Sequence, residues 1–258
     1  MARVLTIADL VQQVYHAIYG VRLDVTTGVE GAFHSNSDKF KEVVMEANNV
    51  IQSLQKDQDW NWLRDRWEMG HAHHGVMEFT LPEDVYKPCT GYGDAVRLHT
   101  HHGLIQIPWT SPRMGNKWQR RMYDPANGEY NTINYENQAF LVGRDVCFKR
   151  PFRGYELHGM LETDVIREMP LLHICDDDCL PGCVEAYEKP ILTEVPDPLY
   201  VIYQVASQRA ELDPSATDRV QPLADRAKQI LSAMRENDSA HTVPEYFDTE
   251  PLGFIEVI

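Results

Sequence analysis

The sequence predicts an α+β protein: an antiparallel helical bundle built from N- and C-terminal helices, with an inserted antiparallel β module and an extended C-terminal arm. Three observations lead to this class. Apolar residues recur at helical spacing near both ends of the chain. Between them, short alternating runs are separated by Gly, Pro, Asn and Asp, which is typical of hairpins. After Asn237 the helical spacing stops although apolar residues continue.

The predicted segments follow from these changes of pattern. In chain order they are the N-terminal helices of the bundle (1–68), the β module (69–165), an irregular loop region (166–197), the C-terminal helices of the bundle (198–237) and the arm (238–258).

Composition limits the possible functions. The chain has 258 residues, of which 43% are hydrophobic, enough to bury a substantial core. It carries 24 Lys and Arg against 39 Asp and Glu, a net charge of −15, which disfavours wrapping nucleic acid by phosphate neutralisation. No apolar run approaches the roughly 20 residues that span a bilayer, so no membrane contact is expected. Five cysteines, an odd number, favour free thiols in a reducing compartment over a disulfide framework.

Two helices are predicted at the N-terminal end. Thr6 and Asp9 have the spacing of a capping box, which predicts a helix over 6–19. Ser37 is suited to cap a second helix, over about 37–58, whose apolar residues form one stripe on an otherwise polar surface. A tryptophan-rich stretch follows, and we expect it to join the helical layer to the β layer. Its tryptophans are Trp60, Trp62 and Trp67.

Two more helices are predicted before the arm. Asp197-Pro198 is typical of a helix start, with Asp as N-cap and Pro in the first turn. Asp213-Pro214 breaks this helix, and the next is predicted over about 216–236. The apolar face expected for the first of the two consists of Leu199, Ile202, Tyr203, Ala206 and Ala210.

The β module is predicted to contain eight short strands. Two tight hairpin turns are expected at His101-His102-Gly103 and Gly143-Arg144-Asp145, because each lies between apolar runs. The predicted strands cover 76–81, 95–100, 104–109, 118–123, 130–135, 138–142, 146–149 and 155–161.

A cysteine cluster is the first candidate for metal chemistry. His173, Cys175, Cys179 and Cys183 offer four soft ligands of the kind that tetrahedral zinc uses. Their spacing, however, lacks the two separated Cys pairs of common zinc modules. The alternative is an irregular loop with free thiols.

Two histidine triplets are the second candidate. His71-Ala72-His73-His74 and His99-Thr100-His101-His102 each precede a predicted strand, so they could meet at one end of the β module and bind a transition metal. The alternative is a set of solvent-exposed loop histidines.

The order of several motifs resembles the head-to-tail adaptor (connector) proteins of tailed bacteriophages, including the tail tubular protein A type. The resemblance covers most of 40–237, while the cysteine cluster and the histidine triplets depart from it. The motifs, in order, are DWNWL at 59–63, FTLPED at 79–84, AVRL at 95–98, FLVGRDVCFKRP at 140–151, YEL at 155–157, and the two helices between Asp197 and Asn237.

The resemblance implies a structural virion protein that is not an enzyme and needs no cofactor. Copies would form a homo-oligomeric ring, typically dodecameric, between the portal protein and a downstream tail or nozzle protein. Genomic DNA would pass through the ring without specific binding. The protein would be assembled in the host cytoplasm and reside at the head-tail junction of the virion.

The arm is expected to make the portal or subunit contact. An apolar, non-helical chain end more often docks onto a surface than remains in solvent. Its contact residues are predicted to be Tyr246, Phe247, Phe254, Ile255 and Ile258.

Two alternatives remain at this stage. One is a metal-dependent enzyme or zinc-stabilised binding module centred on His173, Cys175, Cys179 and Cys183. The other is a different neck or tail-tube structural protein.

Overall fold

The chain folds into two compact units. A computed structural model describes residues 5–21, 38–91, 93–114, 123–124, 129–130, 136–173 and 191–240. The helical unit consists of Met1–Trp62 and Met169–Ile258, and the β unit consists of Leu63–Glu168. The predicted mixture of helices and antiparallel sheets is confirmed. In sequence, the β unit lies between the two parts of the helical unit.

Four long helices build the described part of the helical unit. The third contacts each of the other three, and the first also contacts the second. Helices from both ends of the chain therefore share one core. They are α1 (Ile7–Tyr19), α2 (Asp38–Asp57), α3 (Leu199–Leu212) and α4 (Thr217–Ala240).

The start and stop of α1 follow local chemistry. The backbone N–H of Asp9 donates to Thr6 Oγ1 at 3.1 Å, and the N–H of Thr6 donates to the Asp9 carboxylate at 3.2 Å. This reciprocal pair confirms the predicted capping box. At the other end Gly20 adopts φ +71°, a conformation that favours glycine, and its N–H donates to the carbonyl of His16.

Helix α3 is buried on more sides than its sequence predicts. The expected apolar face is partly wrong, because Leu199 is 40% exposed while Tyr200, Val201 and Val205 are buried. The physical reason is that α3 packs against three helices, so no single face is reserved for the core. The predicted start is also wrong by one residue, because Pro198 is the N-cap and α3 begins at Leu199. Asp197 still accepts a hydrogen bond from the N–H of Leu199 at 3.0 Å.

Helix α4 runs beyond its predicted end. It extends to Ala240, so 238–240 are helical and do not belong to an extended arm. Asp238 explains the extension, because its buried carboxylate accepts hydrogen bonds from the N–H of Asn61 at 2.8 Å and from the side chain of Gln58 at 3.2 Å. The end of α4 is thereby fastened to the chain that follows α2.

The described residues of the β unit form ten strands in three antiparallel groups. Strand order in the largest sheet is β1-β10-β4-β5, with β3 also paired to β10; a second sheet has the order β2-β9-β8, and β6 pairs with β7. The strands are β1 (Arg64–His71), β2 (Glu78–Thr80), β3 (Val85–Pro88), β4 (Ala95–Thr100), β5 (Gly103–Pro108), β6 (Tyr123–Asp124), β7 (Glu129–Tyr130), β8 (Ala139–Val142), β9 (Asp145–Phe148) and β10 (Met160–Arg167).

Both predicted hairpin turns are confirmed. Strands β4 and β5 are joined through His101 and His102, and Gly103 adopts φ +121°. Strands β8 and β9 are joined through Gly143 and Arg144. The predicted strands at 118–123 and 130–135 lie mostly outside the described residues.

Three parts of the strand prediction are wrong. Strands β1 and β3 were not predicted. The strand predicted at 155–161 begins only at Met160, because Gly154–Glu156 forms a 3-10 turn closed by the backbone N–H of Leu157 to the carbonyl of Gly154. Gly159 then allows a close approach, since a Cβ at that position would lie 2.7 Å from the Leu98 side chain.

The core of the β unit lies on one face of the largest sheet. Phe148 is fully buried, and its ring meets that of Phe152 edge-on at a centroid distance of 4.8 Å. Such aromatic pairs add to the stabilisation from burial. The other buried core residues include Val96, Leu98, Ile107, Leu161 and Val165, with Trp67 and Trp109 packed against them.

The tryptophan-rich stretch is divided between the two units. Trp60 is fully buried in the helical unit and stacks on Trp62 with a centroid distance of 4.1 Å. Trp67 lies on β1 and packs against the core of the β unit. The boundary between the units falls between Trp62 and Leu63, where helical spacing gives way to strands.

Candidate assembly surfaces

Most of the site residues predicted from sequence lie outside the described residues. This holds for the arm residues Tyr246, Phe247, Phe254, Ile255 and Ile258, and for Cys175, Cys179 and Cys183. His173 is described and exposed. Two other cysteines, Cys89 and Cys147, are buried and form no disulfide. Burial raises the pKa of Cys147 to about 11, which keeps this thiol protonated and unreactive at neutral pH.

The face of the largest sheet opposite the core carries a charged network, which we call the charged face. Arg97 on β4 donates to Glu162 at 2.7 Å and to both oxygens of Asp164 at 2.6 and 3.1 Å. Arg66 on β1 lies 3.7 Å from Glu162. His99 Nε2 lies 3.0 Å from the same carboxylate. The register explains the network, because residues paired across neighbouring strands share a face.

The network shifts the pKa values of Arg97 and Glu162. The hydrogen bonds that Arg97 donates to Asp164 and Glu162 raise its pKa, although burial acts in the opposite direction. Burial alone would raise the pKa of Glu162, but hydrogen bonds from His99 and Arg97 and the charges of Arg97 and Arg66 outweigh it and leave this pKa lowered. Glu162 is therefore ionised in the folded protein at neutral pH.

We expect Glu162 to make the β unit sensitive to acid. A carboxyl group whose pKa is lowered by folding stabilises the protein above its unfolded pKa, and this contribution is lost as the pH falls through the folded value, here below the ordinary pKa of glutamate. Glu162→Gln should reduce the dependence of the unfolding free energy on pH in that range. Urea titrations between about pH 3 and 7 measure this dependence.

A matched control for this prediction is Glu68→Gln. Glu68 lies opposite Glu162 on β1 and is exposed. The control should keep the acid dependence of the native chain. An equal reduction of the pH dependence by the two variants would contradict the role assigned to the network.

A buried ion pair shapes the loop that leads into β10. Arg150 and Glu156 are 5% and 7% exposed, and the guanidinium donates to both carboxylate oxygens at 2.6 and 2.7 Å. Glu156 also accepts the backbone N–H of Arg153 at 3.1 Å. Such a bidentate pair satisfies both charges with fixed geometry. It closes the turn that presents Tyr155, which is 62% exposed.

The structure brings the two predicted histidine triplets to the same end of the largest sheet. His71 on β1 and His99 on β4 both pair with Met160 on β10, one from each side. His158 joins them: its carbonyl accepts a hydrogen bond from His71 Nδ1 at 3.0 Å, and its ring centroid lies 5.9 Å from that of His73. Sequence reasoning missed His158, because it has no histidine neighbour in the chain.

We call this surface the histidine end. Its seven histidines are all exposed: His71, His73, His74, His99, His101, His102 and His158. Among the described residues, no group of three or more His, Cys, Asp or Glu side chains is arranged to hold a metal ion.

Nothing in the described part of the chain matches a membrane span, since none of its helices is both long and apolar enough to cross a bilayer. The chain was also compared with known proteins. No protein-family model matches it, and no curated protein is similar enough to count as a relative.

Proposed function

We propose that this protein is a bacteriophage head-to-tail adaptor, a structural virion protein whose copies form a ring between the portal protein and the next tail component. The ring extends the channel through which the genome leaves the head. The protein works as a scaffold and not as an enzyme. It is assembled in the host cytoplasm and ends at the head-tail junction.

The observation that carries this proposal is the two-unit organisation. Helices from both ends of the chain pack in one unit, and a β unit is inserted between them in sequence. We propose that α1 to α4 form an antiparallel bundle. This is the organisation that the ordered motifs imply for an adaptor. In a ring, such bundles would pack side by side.

Charged side chains connect the helices of the helical unit. Arg209 on α3 donates to Glu42 at 2.7 Å and Glu46 at 3.4 Å, both on α2, and lies over the ring of Tyr15 on α1 at 5.8 Å. Arg235 on α4 donates to the Asp57 carboxylate at 2.5 and 3.0 Å. These charge-assisted contacts join all four helices.

The charge distribution supports a channel protein. The helical unit contains 11 Lys and Arg against 25 Asp and Glu, a net charge of −14, whereas the β unit contains 13 against 14, a net charge of −1. A negative channel wall repels DNA phosphates and lets the duplex slide without being held. We propose that the helical unit contributes most of that wall.

Deletion of the C-terminal arm tests this proposal. Because Asp238 is bonded to Asn61, a deletion that starts at Asp238 would damage the helical unit as well as remove the arm. A chain ending at Ala240 keeps α4 whole. We expect the full chain to assemble on its portal and the shortened chain to lose portal binding while remaining folded.

Mass measurement of each chain, alone and mixed with the portal, reads out this experiment. A full chain that stays a monodisperse monomer at high concentration and binds no portal would contradict the adaptor function. A shortened chain that assembles as well as the full one would instead contradict only the role given to Tyr246, Phe247, Phe254, Ile255 and Ile258.

A further inference from the structure

Histidine is concentrated in one place on this protein. Seven of the 11 histidines lie at the histidine end, where β1 stops, β4 turns into β5 and β10 begins. They come from three separate segments that only the fold brings together. A single row across the sheet, in strand order, contains His71, Met160, His99 and Leu104.

Histidine alone can change the charge of this surface. The three segments that build it, 69–77, 98–105 and 154–161, contain no Lys, Arg or Asp. Their one acidic residue is Glu156, which is buried and paired with Arg150. Imidazole is the side chain whose charge ordinarily changes between about pH 5 and 8. In these three segments, histidine is therefore the residue type through which pH acts.

The charged groups packed nearby do not cancel this change. Glu162 faces His99, but it is also held by Arg97 and Arg66. His102 meets the ring of Tyr155 edge-on at 6.0 Å. Among the described residues, the strand register brings one further carboxylate beside this row. It belongs to Glu68, which is exposed and lies opposite Glu162.

We propose that the histidine end is a docking surface for the acidic helical unit of a second copy of this chain, and that protonation of its imidazoles strengthens the contact. This docking proposal rests on the proposed function, since the contact would join neighbouring subunits of the ring through two different surfaces. Charge complementarity selects the occupant, because the helical unit carries −14. The contact between His99 and Glu162 within one chain is an example of an imidazole paired with a carboxylate at this surface.

The surface also carries exposed apolar side chains. Leu104 is 51% exposed and Tyr155 62% exposed, and both belong to the elements that carry the histidines. Exposed aromatic and aliphatic side chains flanked by polar groups are typical of such contacts. A contact between two different surfaces of the same chain generates a ring when the rotation it imposes closes.

Two variants with equal numbers of histidine replacements test the proposal. The first is His73→Gln/His74→Gln/His101→Gln/His102→Gln, which changes exposed loop residues and spares His71 and His99 with their hydrogen bonds. The matched control replaces the four histidines of the helical unit: His16→Gln/His34→Gln/His173→Gln/His241→Gln, of which His34 and His241 lie outside the described residues.

The control is needed because the isoelectric point of the chain is about 5.1, and loss of net charge alone promotes association. Each variant loses four histidines, so the effect on net charge near the isoelectric point is the same in both. Light scattering coupled to size-exclusion chromatography is run at about pH 7.5 and 6.0, with and without about 0.5 M NaCl, which screens exposed charges. Circular dichroism verifies that each variant is folded.

We expect the average mass of the native chain and of the control to rise about twofold or more at the lower pH, and salt to reverse the rise. The histidine-end variant should show no such rise. An equal rise in both variants, or no rise in the native chain, would overturn the proposal. This experiment contains no portal, so its outcome is separate from the test of adaptor function. Assembly on the portal at neutral pH can succeed while the pH response is absent. The pH response can likewise be present while assembly on the portal fails.

Discussion

Replacement of Arg150 by methionine is expected to lower the free energy of unfolding of the β unit by about 3–5 kcal/mol. Arg150 is 5% exposed, and its guanidinium donates two hydrogen bonds of 2.6 and 2.7 Å to Glu156, which is itself 7% exposed. Methionine fills similar space but leaves a buried carboxylate without its partner, and that uncompensated charge is the main cost. Denaturation in urea, followed by the aromatic signals of the β unit, measures the change.

Two further variants separate this effect from general damage. Arg64→Met removes an exposed arginine whose nearest pairing, with Asp94, is 3.9 Å long, and it should cost less than about 1 kcal/mol. The double variant Arg150→Met/Glu156→Leu removes both buried charges and should recover much of the loss. If the single and double variants were equally unstable, packing and not the unpaired charge would be the cause.

Replacement of Trp60 by alanine is expected to destabilise the helical unit by about 3–5 kcal/mol. Trp60 is fully buried, its indole N–H donates to the carbonyl of Leu54 at 2.7 Å, and its ring stacks on Trp62. Alanine would leave a large cavity and an unpaired carbonyl near the end of α2. Loss of helical circular dichroism in urea reads out the change.

The neighbouring tryptophan provides the comparison. The indole nitrogen of Trp62 is buried and has no hydrogen-bond partner among the described residues. Trp62→Phe keeps an aromatic ring for the stack and removes that unpaired donor, so its cost should be less than about 1 kcal/mol. Equal destabilisation by Trp60→Ala and Trp62→Phe would contradict the different positions assigned to these two residues.

Elements with local signals could be predicted from the sequence. The capping box of Thr6 and Asp9 placed the start of α1 within one residue, and Asp213-Pro214 located the break between α3 and α4. The hairpin turns at His101–Gly103 and Gly143–Asp145 were found because turn residues separate apolar runs. In each case the deciding contacts lie within a few residues of one another.

Elements that depend on distant contacts could not be predicted. Strand β1 lacks a simple apolar alternation because Arg66 lies on the charged face, where its partner Glu162 is almost a hundred residues away in sequence. The turn before β10 depends on the ion pair of Arg150 and Glu156, which no periodicity reveals. The last turn of α4 depends on the bond between Asp238 and Asn61.

The candidate surfaces divide in the same way. The sequence indicated that the two histidine triplets could meet, because each precedes a strand. It could not show that His158 joins them or that His71 and His99 lie on either side of Met160, since both facts depend on strand register. The charged face also depends on register, because it places Arg97 opposite Glu162.

Electron microscopy of portal rings mixed with this protein is the most direct test of its role as an adaptor. We expect an additional closed ring, coaxial with the portal and typically of twelve copies, that continues the central channel. Portal rings that remain unchanged at saturating protein, while the full chain stays monomeric, would contradict that role.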